Sequence, residues 1–163
     1  MSTHLESMFR NLRPFNYSIK SRRTTLYNCI SWAAGEDRRV WWPVGAYWPQ
    51  SIPRVETVDS FTDAFRTLGY EVCSDSAHEV GYERVAIYVD PGGTPTHMAR
   101  QLSTGFWTSK IGKLEDIEHE TLHGLEETDY GQVVRVLKRR LVKPRQAFLF
   151  SALEWVFRRI VPS

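Results

Sequence analysis

The chain has 163 residues, 42% hydrophobic and 25% charged, with six Trp, enough for one compact core and too little for two. Lys and Arg number 21 against 19 Asp and Glu, so the net charge of +2 is too small to mark the whole protein as a nucleic-acid binder, and any basic surface must be local. No run has the length of a membrane span and Met1–Phe15 lacks the apolar stretch of a secretory leader, so the expected location is the cytoplasm, with export by a signal-less route left open. In that compartment Cys29 and Cys73 are expected to be free thiols.

Residues 1–24 read as a basic arm carrying Arg10, Arg13, Lys20, Arg22 and Arg23, with a short helix around Leu5–Leu12. Thr25–Ala34 places Leu26, Ile30 and Ala33 on one helical face before Gly35. Asn28 is a good N-cap, which sets Cys29 in the first helical turn. Arg39–Pro49 holds two Trp-Pro steps and reads as an aromatic loop. Val58–Leu68 has helical spacing, with Thr57 as cap and Gly69 as stop.

Tyr70–Cys73 reads as a short strand, and Val85-Ala86-Ile87-Tyr88-Val89 as a strand buried on both faces. After Pro91-Gly92-Gly93, the segments Thr96–Leu102 and Phe106–Lys110 flank Ser103-Thr104-Gly105 and complete a three-stranded antiparallel meander. In that hairpin Gln101 opposes Trp107, and Ala99 opposes Ser109 on the face of His97. Helical turns around Ile117–Leu125 and a strand at Gln132–Lys138 follow. Gln146–Ile160 sets Leu149, Leu153, Val156 and Ile160 on one face, an amphipathic helix able to cover its own domain or to bind a protein partner or a membrane surface. The whole is α+β in one domain: arm 1–24, core 25–140 and C-terminal helix 141–163.

A cysteine in the first turn of a helix gains thiolate stabilisation from the helix N-terminus and its free N–H groups. An imidazole from a distant strand completes a nucleophilic pair, and His97 begins such a strand. His119 is the candidate for the third group that orients His97, with Asp116 and Ser109 as substitutes. Trp41, Trp42, Trp48, Trp107 and Ser109 are candidates for the walls of the cleft.

Tyr27-Asn28-Cys29-Ile30-Ser31-Trp32 resembles the aromatic-Asp-Cys-Ser-Gly helix start of NlpC-type cell-wall peptidases of the papain-like superfamily, with Asn28 standing where those enzymes carry Asp. The order Cys29, His97, His119 resembles their Cys-His-His set. The stretches from Asn28 to Ala34, Gly69-Tyr70, Val85–Tyr88, Thr96–Gln101, Trp107–Gly112 and Asp116–His119 also resemble a small bacterial domain family with no assigned activity. The resemblance implies a papain-like core, in which a Cys-bearing helix packs on an antiparallel sheet. It further implies a thiol hydrolase or acyl transferase acting on an amide, isopeptide or ester bond of a protein or peptide-like substrate, without a cofactor.

Two other readings stand beside it. One is a non-catalytic protein-interaction domain that uses the C-terminal helix or the Trp-rich loop. The other is a zinc hydrolase, because His119-Glu120-Thr121-Leu122-His123 fits H-E-x-x-H. Gly124 interrupts the helix such a site needs, and no third ligand is evident, so the expected metal set is empty.

Overall fold

The computed structural model describes residues 3–142, and the C-terminal helix expected at 146–160, with its docking role, falls outside them. Helix α1 (His4–Met8) and strand β1 (Tyr17–Ile19) precede α2 (Cys29–Ala33) and α3 (Val58–Arg66). Then come β2 (Glu71–Cys73), β3 (Tyr82–Val89), β4 (Pro95–Gln101), β5 (Trp107–Lys110), β6 (Asp116–His119), a 3-10 turn at Leu122–Leu125 and β7 (Gln132–Arg140). The seven strands form one antiparallel sheet in the order β1-β6-β5-β4-β3-β7-β2. The fold is therefore mixed α+β, and no helix among the described residues is long and apolar enough to cross a membrane.

Side chains alternate across a strand, so β3 contributes to two cores. Val85, Ile87 and Val89 pack with Cys29, Ile30, Ala33, Phe61, Phe65 and Met98 under α2 and α3. Ala86 and Tyr88 pack with Ala99, Trp107 and Ile117 on the other face, beneath Leu5, Phe9 and Leu12. The arm is thus a roof as well as a basic tail. Only its first turn is helical, because Phe9 is already extended at the C-cap, and Leu12 reaches the core through a turn closed by its N–H to the Phe9 carbonyl.

Asn28 starts α2 with a capping box: its Oδ1 accepts from the Ser31 N–H at 3.1 Å, and its own N–H donates to Ser31 Oγ at 3.0 Å. The same carboxamide donates to the Trp41 carbonyl at 2.8 Å and accepts from the Trp41 N–H at 3.2 Å. A cap of this kind contributes about 1 kcal/mol, and here it also joins helix to loop. Thr57 caps α3 by accepting from the Ser60 N–H. Trp41, Trp42 and Trp48 lie against Phe65 and Phe61 of that helix, so the aromatic loop is a layer of the first core.

The hairpin register is as expected at Gln101↔Trp107, but the β4–β5 ladder contains only one more pair, Arg100↔Thr108. There the ladder ends, so the expected pairing of Ala99 with Ser109 is not made. One expectation is corrected in part: of the helical turns expected around Ile117–Leu125 only the 3-10 turn at Leu122–Leu125 is present, since Asp116–His119 is a strand paired with both β5 and β1. Gly112, at φ 50°, turns the chain into a hairpin closed by the Ile111 N–H and Glu115 carbonyl. The apolar positions 117, 122 and 125 are also spaced too irregularly for one helical face.

Gly131 opens β7 at φ 75°, and a Cβ there would lie 1.9 Å from the Val89 carbonyl oxygen. Gly131→Ala combines a left-handed backbone penalty with overpacking against β3, and should cost about 2–4 kcal/mol. Urea midpoints of the two proteins measure this, and equal midpoints would refute the tight approach.

Candidate functional site

The Cys29 thiol lies at the start of α2, where the backbone N–H groups of Cys29, Ile30 and Met98 face the sulfur. Burial pushes its pKa up to about 11, outweighing the pull of these N–H groups and of the Lys110 charge. At neutral pH the group is therefore a thiol. Lys110 is buried on the same side, its ammonium donating to the Gly112 carbonyl at 2.9 Å and to the Leu114 carbonyl. It also stands 5.4 Å from the centre of the Tyr27 ring. Burial lowers its own pKa.

His97 begins a chain of polar contacts on the other face. Its Nε2 is 3.0 Å from Ser109 Oγ, which is 2.9 Å from His119 Nε2, and His119 Nδ1 is 2.8 Å from the Thr121 carbonyl. A carbonyl only accepts, so His119 carries its proton on Nδ1 and offers a lone pair at Nε2. The single Ser109 proton goes to that lone pair, and His97 Nε2–H donates to Ser109. His97 Nδ1 is left as a bare lone pair, buried and without a hydrogen-bond partner. Burial drives the His119 pKa down to about 4 and that of His97 well below its ordinary value, helped by the neighbouring His119.

Cys29 and His97 reach the sheet from opposite sides, since Met98 shares the core of Cys29 whereas His97 contacts Tyr88 and Tyr130. They approach along β4: the Met98 N–H that meets the sulfur belongs to the residue after His97. No hydrogen bond joins the sulfur to Nδ1. Tyr130 stacks on the His97 ring with centroids 4.1 Å apart and planes 7° apart. Its hydroxyl meets the Gly112 N–H and lies within electrostatic reach of Cys29; burial, then the Cys29 charge, pushes its pKa up.

Of the other expected residues, Ser109 touches both histidines, while His119 reaches His97 only through Ser109. Trp107 is buried opposite His119 in the second core. Trp41 and Trp48 are buried and Trp42 is half-buried, its Nε1 bonded to Glu56. Asp116 lies on the Cys29 side, accepting from the Tyr27 hydroxyl at 2.6 Å, with its other oxygen buried and unpartnered. His123 is exposed and 3.3 Å from Glu126, whereas His119 is buried. The two histidines of H-E-x-x-H thus sit on a strand end and a 3-10 turn, not one turn apart on a helix. Among the described residues no three His, Cys, Asp or Glu side chains gather to hold a metal ion. Lys110 and Tyr130 were invisible as site residues: one ends a strand, the other sits in a loop, and neither belongs to a motif.

A family model described as a domain of unknown function (DUF7689) matches residues 18–138. Comparison with curated proteins gave no match, and comparison with solved structures gave none.

The two depressed imidazole pKa values make stability depend on pH. The unfolded chain binds protons near 6.5 that the folded chain refuses until about pH 4 at His119. The stabilisation is complete above 6.5 and is lost as pH falls toward 4. His119 alone accounts for on the order of 3 kcal/mol, and His97 acts in the same direction. Urea midpoints between pH 7.5 and 4 should fall accordingly and fall less in His119→Gln; parallel profiles would refute the neutral buried pair.

Proposed function

The chain belongs to the DUF7689 family, whose description gives no activity, and we propose that it is a papain-like, thiol-dependent acyl-transfer enzyme acting on an amide, isopeptide or ester bond of a peptide-like substrate. The single observation that carries this reading is the unpartnered lone pair of His97 Nδ1. The far side of that ring is held by Ser109, and the sulfur at a helix start meets the N–H of Met98, the next residue along β4. A buried acceptor left unbonded costs stability, and a base awaiting a proton accounts for it.

In this chemistry the Cys29 S–H proton passes to His97 Nδ1 as the sulfur attacks the carbonyl carbon. N–H groups at the α2 start receive the oxyanion charge. His97 returns the proton to the departing amine or alcohol, leaving a thioester on Cys29. Water or another acceptor, deprotonated by the same Nδ1, then displaces the acyl group and the thiol is re-formed. Ser109 and His119 are positioning residues that fix the His97 tautomer. Because the resting pair is neutral, proton transfer belongs to the reaction step and not to a standing ion pair. Free thiols at Cys29 and Cys73 suit a reducing, cytoplasmic setting.

The non-catalytic reading draws on one fact: the thiol and imidazole occupy different cores with no bond between them. An activated ester decides the matter. Incubation with p-nitrophenyl acetate should acetylate Cys29, detected as one acetyl group in the intact mass, with turnover rising with pH. Cys29→Ala and His97→Ala should remove the adduct, and Ser109→Ala or His119→Gln should slow its formation by about 10–100-fold. Acetylation of Cys29 at the same rate without His97 would end the proposal.

A further inference from the structure

Both reacting groups are buried, so a substrate needs an opening. The first core is closed over Cys29 by the capping box and by the aromatic loop on α3. The second is closed by the arm, whose rim is held by polar contacts: Arg10 Nη2 lies 2.6 Å from Glu127, with side chains 67% and 42% exposed, and Asn11 donates to the His123 carbonyl at 3.1 Å. An ion pair so exposed is worth at most about 1 kcal/mol. Between arm and loop lies a cavity of about 370 Å³, lined on one side by Met8, Phe9 and Arg10 and on the other by Glu127, Asp129 and Tyr130. Ligand pockets begin at about this size.

Tyr130 both lines this cavity and stacks on His97. Its backbone is fixed, since its carbonyl accepts from Thr96 Oγ1 at 2.6 Å and Gly131 beside it presses on β3. The side chain is held separately, by its stack on His97 and by its hydroxyl at the Gly112 N–H, so the ring can swing only by leaving both contacts while the loop stays. Arg10 is neutralised by Glu127, whereas Asp129 has no cationic partner among the described residues, so the cavity keeps one negative charge beside the rings of Phe9 and Tyr130, 5.2 Å apart. Carboxylate and aromatic faces together favour a cation.

We infer that this cavity is the substrate entrance, that the Tyr130 ring is the gate between it and the Cys29–His97 pair, and that it admits a peptide-like chain carrying an amino group. The inference rests on the acyl-transfer reading for its substrate, but the route to the sulfur is testable without it. In a Cys73→Ser background, Cys29 is treated with three methanethiosulfonates, carrying an aminoethyl, a methyl or a sulfonatoethyl group. The sulfur displaces a sulfinate and forms a mixed disulfide, and its proton goes to solvent. Rates are taken relative to free cysteine.

The cationic reagent should react several-fold faster than the anionic one, and Asp129→Asn should erase the preference. Tyr130→Ala should raise all three rates at least about tenfold, while Tyr130→Phe, which keeps the ring, should change them less than about twofold. Met8→Trp, at a half-exposed position, should fill the cavity and slow all three even if Tyr130→Ala fails to fold. Unchanged rates in Met8→Trp, or equal relative rates for the three reagents, would overturn the inference. Gated labelling without acetyl transfer would sink the enzyme reading alone, and acetyl transfer without gating would sink the entrance alone.

Discussion

A hydroxyl has one proton to give, and the Ser109 proton is claimed by His119. Everything about the imidazole of residue 97 follows from that. The Thr121 carbonyl fixes which nitrogen of His119 is bare, the serine answers it, and His97 is left with its proton on the side of the serine and its lone pair buried without a partner. The order holds only while both rings are neutral, because a proton on His119 Nε2 would reverse the serine. Burial keeps them neutral.

The same dryness acts on the sulfur in the opposite electrical sense. Burial opposes the anion of a thiol as strongly as it opposes the cation of an imidazole, so the site rests without charge. Helix N–H groups and Lys110 favour the thiolate yet do not win. An incoming carbonyl would add a destination for the electron pair that the resting site lacks. A buried, protonated thiol of this kind is shielded from oxidation and stray alkylation.

Much of this was readable in the chain. Asn28 announced the helix start and so the place of Cys29, and the three-residue turn at 103–105 fixed the register that puts His97 near Ser109. The early end of the β4–β5 ladder was not readable, because pairing rules simply continue a ladder, and the thiol that meets the Met98 N–H comes from an element some seventy residues earlier in the sequence. Residues 117–119 read as helix because His119, Leu122 and His123 carry a helical spacing that the turn at Gly112 overrides. The arm looked like a charged tail because three apolar residues, Leu5, Phe9 and Leu12, are a faint signal among its basic ones. Tyr130 gave no signal at all: its meaning lies in the ring it covers.

The choice of amide over acid at residue 28 has a reason beyond helix capping, for which aspartate serves as well as asparagine. Its nitrogen holds the Trp41 carbonyl while its oxygen serves Ser31 and the Trp41 N–H. An acid would turn that donor into a second oxygen facing a carbonyl, and would set an anion beside a sulfur that already resists ionising. Hydrolytic ageing of this one amide would thus loosen the Trp41 loop from the start of the helix, through a change of a single atom.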